Sequence, residues 1–240
     1  MNLEIFLKNH TDWLQGNGGE RAHLYQANLR DFDLTGADLY RAHLEQVCFV
    51  NACFGNVILS EACINESDLS NAYLANANLS NAKLYRVNFK NAHLVGASLV
   101  DAIAIGSNFK DADLAGVDLT SANLNETCLV NADLEKADLS QTSLHLANLN
   151  DAYLLDTNLT NASLINTNLV NAVLVNANLT DAYLEGADLT GADLKGANLT
   201  GTNFNNACLK GACLAGAKLI DTKLENADLE GVDLSLAIFE

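Results

Sequence analysis

The chain has 240 residues, with 30 acidic and 13 basic residues, and carries a net charge of −17. So acidic a surface favours solubility and disfavours nucleic acid as a direct partner, because phosphates repel it. No apolar run approaches the roughly 20 residues of a membrane span, and the N-terminus lacks the basic region and apolar core of a signal peptide, so a cytoplasmic location is expected.

Residues 1–21 differ in pattern from the rest of the chain. Leu3, Phe6, Leu7, Trp13 and Leu14 form an apolar stripe at helical spacing, and Gly16, Gly18 and Gly19 end it. A short helix is expected here, covering one end of the domain that it precedes. A membrane-surface helix is the rival reading, but the segment is short and nearly neutral.

From residue 22 to residue 240 the chain repeats every five residues. Ala177–Asn178–Leu179–Thr180–Asp181 shows the pattern, with Leu179 as its centre, slot i. Centres fall on every residue number ending in 4 or 9 from Leu24 to Phe239, which makes 44 without an insertion or deletion. Each is Leu, Phe or Ile except Ala104, and slot i−2 is small or Val everywhere but Phe32. Alternation along a strand sends i and i−2 to one side and i−1 and i+1 to the other. A period of five needs a turn in every repeat. Slot i+2 supplies it, being Gly, Asn or Asp at 31 of 43 occurrences. These residues tolerate the positive φ of a type II turn.

One short strand and one turn per repeat close as a square, four repeats to a coil. Stacked coils then pair as parallel strands about 4.8 Å apart, and parallel connections are right-handed. The expected fold is an all-β solenoid: a right-handed quadrilateral parallel β-helix of about 11 coils and about 53 Å, with a short N-terminal α-helical cap over residues 1–21. Such a cap protects apolar side chains and free strand edges at an open end. The absence of proline fits a backbone whose N–H groups serve ladders.

Segments such as Ala37–Asp38–Leu39, Ala77–Asn78–Leu79 and Ala187–Asp188–Leu189 resemble the A(D/N)LXX motif of the pentapeptide repeat family. The resemblance covers residues 22–240. It implies a right-handed quadrilateral β-helix, in agreement with the derivation above. Chain length, near-complete repeat content and the helical cap are similar to cyanobacterial members. That likeness implies regulation by contact with a protein partner, such as a transcriptional regulator, in heterocyst differentiation. Other members mimic duplex DNA and bind DNA gyrase. Duplex DNA would carry about 31 charges over this length, and the rod's −16, without its cap, is roughly half of that.

The pattern contains two local irregularities. Ala104 leaves the axis short of volume. Either Ile103 or Ile105 turns inward through a bulge, or the Phe89 and Phe109 rings fill the gap; alternatively the site is an exposed apolar spot shared with Val95 and Val100. At the other end, Ile238–Phe239–Glu240 keeps the register, and this open edge allows a homodimer by end-to-end pairing.

A period of 20 sorts outward residues onto four faces, the first holding centres 24, 44 and so on, the second starting at 29, the third at 34 and the fourth at 39. The third and fourth carry most of the net acid. The third also carries an apolar set, Tyr73, Val95, Tyr153, Leu155, Val173 and Val175, which is the candidate protein-binding patch. Asp113 stacks on Asp133 at about 5 Å, but catalysis needs a concave site, and a register without loops builds none. His23, His43 and Cys63 share one column on the first face, where a straight ladder cannot surround an ion. The six cysteines all occupy slot i−1 with none 20 residues apart, so reduced thiols are expected. No catalytic residue, metal site or cofactor is expected.

Overall fold

A computed structural model describes residues 3–239. Met1 and Asn2 of the expected cap, and Glu240 of the last repeat, lie outside these residues. Helix α1 spans Leu3–Leu14. Leu3, Phe6 and Leu7 from its apolar stripe pack against the core that begins at Ala22. His10, on the same helical face, is fully buried, and its Nδ1 accepts the Ala22 N–H at 3.0 Å. After the helix, Gly19 has φ +78°, and a side chain there would strike the Asn9 carbonyl.

The repeats stack as four parallel ladders with a period of 20 residues. The first is β1, His23–Tyr25, against β2, His43–Glu45. Asn28↔Cys48, Asp33↔Cys53 and Asp38↔Ile58 begin the other three, and the same spacing recurs as far as Lys218↔Ile238. Beyond β1 and β2 each repeat contributes a single bridge residue at i−1 rather than a strand, because the turn occupies the next residues.

Backbone bonding explains the motif slot by slot. In the repeat centred on Leu134, Asp133 N–H donates to Ala112 of one neighbouring coil. Leu134 and Lys136 N–H donate to Tyr153 and Leu155 of the other, and Ala137 N–H closes the turn on the Leu134 carbonyl at 3.0 Å. Four of the five N–H groups are then used. The fifth, at i+1, finds its acceptor in the Asp133 side chain, whose Oδ1 takes the Glu135 N–H at 3.0 Å. The same bond recurs from Arg30 onto Asn28 to Ser235 onto Asp233, in every repeat whose i−1 residue is Asp or Asn. The D/N of the motif therefore satisfies an otherwise free donor.

Slot i+2 has φ between 52° and 75° at every repeat from Gln26 to Gly231. With the i→i+3 bond this is the type II turn. No Val, Ile or Thr occupies the slot, since branching at Cβ is worst tolerated there. Inside, every centre from Leu29 to Leu219 is buried, as is every i−2 residue from Ala42 to Ala217. Ser67 goes further than filling space. Its hydroxyl accepts the Val47 N–H at 3.0 Å and donates to the Leu44 carbonyl at 2.8 Å, replacing that turn's own bond.

At Ala104 the ladder is intact, with Ala104 N–H on Asn123 at 2.8 Å, so no bulge forms. The Phe89 and Phe109 rings stack at 4.8 Å and 7° beside it. Ile103 and Ile105 stay half-buried in outward slots. Of the exposed spot shared with Val95 and Val100, only Val95 is exposed, and it lies on the third face, opposite Ala104; Val100 is half-buried. The register at Asp233–Leu236 departs from expectation. Gly216 N–H bonds Leu236 rather than residue 235, and Cys213 and Asp233 do not bridge. Leu236 stands in the turn slot there and, unlike Leu146 in the same slot, does not adopt a positive φ.

Candidate protein-binding face

Tyr153 and Val173 pair directly in the third-face ladder, flanked by Asp133 on one side and Asp193 on the other. Leu155 and Val175 occupy slot i+1 of the same two repeats, one coil apart. Tyr153 is 55% exposed, while Leu155, Val173 and Val175 are half-buried. Charged pairs frame the four. Lys136 meets Glu135 at 2.5 Å on one side, and Lys195 meets Asp193 at 3.0 Å on the other. Both lysines are held above their ordinary pKa by those carboxylates.

Tyr73 and Val95 do not join this group. Four coils, about 19 Å, separate Tyr73 from Tyr153, and His93, Asp113 and Asp133 fill the ladder between them. Tyr73 instead lies over Gly55, its ring edge 3.3 Å from where a Cβ would stand, with Val95 exposed nearby. The six candidate residues thus form two clusters on one face.

Other exposed apolar residues include Tyr25, Tyr85, Leu146 and Tyr183 on the first face and Ile58 on the fourth. The same column sorting locates them, since each breaks the polar habit of its slot. Leu146 even occupies the turn slot at φ 58°, a costly conformation for a side chain of its kind.

Asp113 and Asp133 have a structural duty, accepting the Ala115 and Glu135 N–H groups. In the first-face column the His23 and His43 rings are 5.9 Å apart. The Cys63 thiol donates to Glu45 Oε1 at 2.9 Å and receives the Asn65 amide at 3.0 Å. Burial, and then the Glu45 bond, push that thiol's pKa up. Among the described residues no group of three or more His, Cys, Asp or Glu is placed to hold a metal. All six cysteines are unpaired. No helix among the described residues is long and apolar enough to cross a membrane.

Eight overlapping matches to the pentapeptide repeats family run from residue 20 to residue 240. The chain is a pentapeptide repeat protein. Its fold is accordingly a right-handed β-helix solenoid. Among solved structures it is similar to HetL of the cyanobacterium Nostoc sp. strain PCC 7120, a pentapeptide repeat protein involved in heterocyst differentiation regulation. Identity is 28%, with 95% of this chain and 92% of that one covered and a TM-score of 0.43. QnrB1, a plasmid-mediated fluoroquinolone resistance protein, is 18% identical over 71% of this chain and 90% of its own, at a TM-score of 0.39. A pentapeptide repeat protein of the Arabidopsis thaliana thylakoid lumen is 28% identical over 43% of this chain and 69% of its own, at a TM-score of 0.35. No curated protein sequence matches the chain.

Proposed function

We propose that this pentapeptide repeat protein is a non-enzymatic protein-binding scaffold that docks its partner on Tyr153, Leu155, Val173 and Val175. One observation carries the reading. At Tyr153 and Val173 the chain gives up the Asp or Asn that would accept the i+1 N–H, and gains exposed apolar surface instead. The fold does not ask for that exchange; a contiguous apolar patch framed by charge suits a partner. The Tyr73 and Val95 cluster serves as a second, smaller contact along the same face.

The scaffold on this reading is a rod of about 11 coils over residues 22–240, with residues 1–21 as its cap. The packing of Leu3, Phe6 and Leu7 and the His10–Ala22 bond support the capping role. A homodimer through the coil at 219–239 is part of the same proposal, supported by the exposure of Leu236, Ile238 and Phe239. A monomer mass in light scattering at high concentration would remove that part.

The role is regulatory, in cyanobacterial heterocyst differentiation through contact with a transcriptional regulator. The test is a pull-down from a cyanobacterial lysate, comparing the wild type with a Tyr153→Glu, Val175→Glu variant. Recovery of a regulator by the wild type alone is expected; equal recovery by both places the contact elsewhere.

The acidic balance favours a second reading, a DNA mimic that binds DNA gyrase. A mimic's affinity collapses as salt rises, and the apolar variant would keep it. The Asp residues of slot i−1 weigh against this reading, since turn bonding already accounts for them.

A further inference from the structure

Two adjacent columns at the corner of the fourth and first faces depart from the acidity of the rest. One runs Arg21, Arg41, Glu61, Asn81 and the other His23, His43, Cys63, Lys83, each step one coil. Between them lies a floor of buried Ala22, Ala42, Ala62 and Ala82. The result is a cleft of about 430 Å³ lined by Arg21, Arg41, His43, Glu61, Asn81 and Lys83. One coil further on the columns turn to Asp101 and Ile103, so the cationic stretch is bounded.

The positive groups here are poorly neutralised. Glu61 is the one carboxylate lining the cleft. It accepts Arg41 Nε at 2.7 Å and the Tyr40 hydroxyl at 2.8 Å, and the Arg41 guanidinium lies 4.9 Å over the Tyr40 ring. Nearby Glu45 takes the Cys63 thiol. Arg21 lies 5.9 Å over the Trp13 ring. Among the described residues neither Arg21 nor Lys83 has a carboxylate at ion-pair distance. His43 registers the resulting field. Burial lowers its pKa first, Arg21, His23 and Lys83 lower it further, and Glu45 opposes them.

We propose that this corner binds a compact phosphate group. Two guanidinium groups, an ammonium, an imidazole and the Asn81 amide line one cleft, a donor set that suits the several oxygens of a phosphate better than a planar carboxylate. The basic residues of these columns stop at Lys83 and the next coil adds the carboxylate of Asp101, so the corner suits a short anion better than an extended one. Phosphate carried by a free metabolite and phosphate carried by a protein side chain share this chemistry.

Isothermal titration calorimetry on the full chain tests the site with three probes: pyrophosphate, a phosphoserine peptide and its unphosphorylated form. The comparison proteins are Arg21→Ala, Lys83→Ala and, on the second face, Lys90→Ala. All three replace outward side chains, and circular dichroism melts check that each still folds. Binding of a phosphate probe that weakens at least tenfold in Arg21→Ala and Lys83→Ala, with Lys90→Ala unchanged, is expected. Tighter pyrophosphate binding assigns the free form; tighter phosphopeptide binding assigns the modified side chain. No binding by either phosphate probe at millimolar concentration, equal binding of the unphosphorylated peptide, or an equal loss in Lys90→Ala overturns the proposal.

Discussion

Asp113 to Glu135 and Tyr153 to Val175 occupy successive pairs of coils on one face, and they differ in only part of their chemistry. Their centres, Leu114, Leu134, Leu154 and Leu174, are equally buried. Their turns have the same left-handed residue, at Gly116, Lys136, Asp156 and Asn176. Their inter-coil bonds match within tenths of an ångström, as Leu134 onto Tyr153 and Leu174 onto Asp193 show, both at 2.7 Å. The two stretches part company at i−1. Asp113 and Asp133 accept a backbone N–H, whereas Tyr153 and Val173 cannot and present apolar surface. The fold therefore dictates i−2, i and i+2, rewards Asp or Asn at i−1 without requiring it, and leaves i−1 and i+1 as the slots where demands other than folding can act.

If the cores are equivalent, truncating either should cost the same. Leu134→Ala and Leu174→Ala should each lose about 2–5 kcal/mol in urea unfolding. In a solenoid such losses reflect one coil and its neighbours, so a clear difference between the two would break the comparison at its base. Smaller effects come at i−1. Asp133→Ala should cost about 1 kcal/mol by stranding the Glu135 N–H. Val173→Asn offers the Val175 N–H an acceptor, so stability should hold or rise by up to about 1 kcal/mol while partner binding falls. A variant that loses stability and keeps its partner would show Val173 to be structural after all.

The solenoid was readable because five-residue spacing, small i−2 residues and Gly, Asn or Asp at i+2 are each demanded by backbone geometry. The packing at Ala104 was readable only as alternatives, since stacking of Phe89 on Phe109 depends on ring orientation. His10 escaped a search for apolar stripes because a histidine enters a core through a specific acceptor, here for Ala22. The role of Asp and Asn at i−1 was hidden for a related reason: outward slots look solvated until the unused N–H is counted. Column sorting found the apolar residues but not their grouping, and Tyr73 lies too far along the ladder to join Tyr153.

The finest test tracks single amides by hydrogen exchange with fragmentation, corrected for intrinsic rates. At neutral pH the Ser140 N–H, held on Asp138 Oδ1 at 2.8 Å, should be protected, and the Leu155 and Val175 N–H groups should exchange nearly freely. Acid sharpens the contrast. Burial raises the Asp138 pKa, but bonds from the Ser140 hydroxyl and N–H and the Asn158 amide outweigh it and hold the carboxyl below its ordinary 3.8. A depressed native pKa means that the unfolded chain takes up the proton first. The contribution is therefore complete above about 3.8 and is lost as pH falls through the native value. Ser140 protection should stay constant from pH 6 to pH 5 and decline below 3.8, while Leu155 and Val175 stay unprotected throughout. Equal protection of all three at pH 6 would mean that water or neighbouring backbone serves slot i+1 as well as a side chain does, and the contrast between the two stretches would then have no energetic basis.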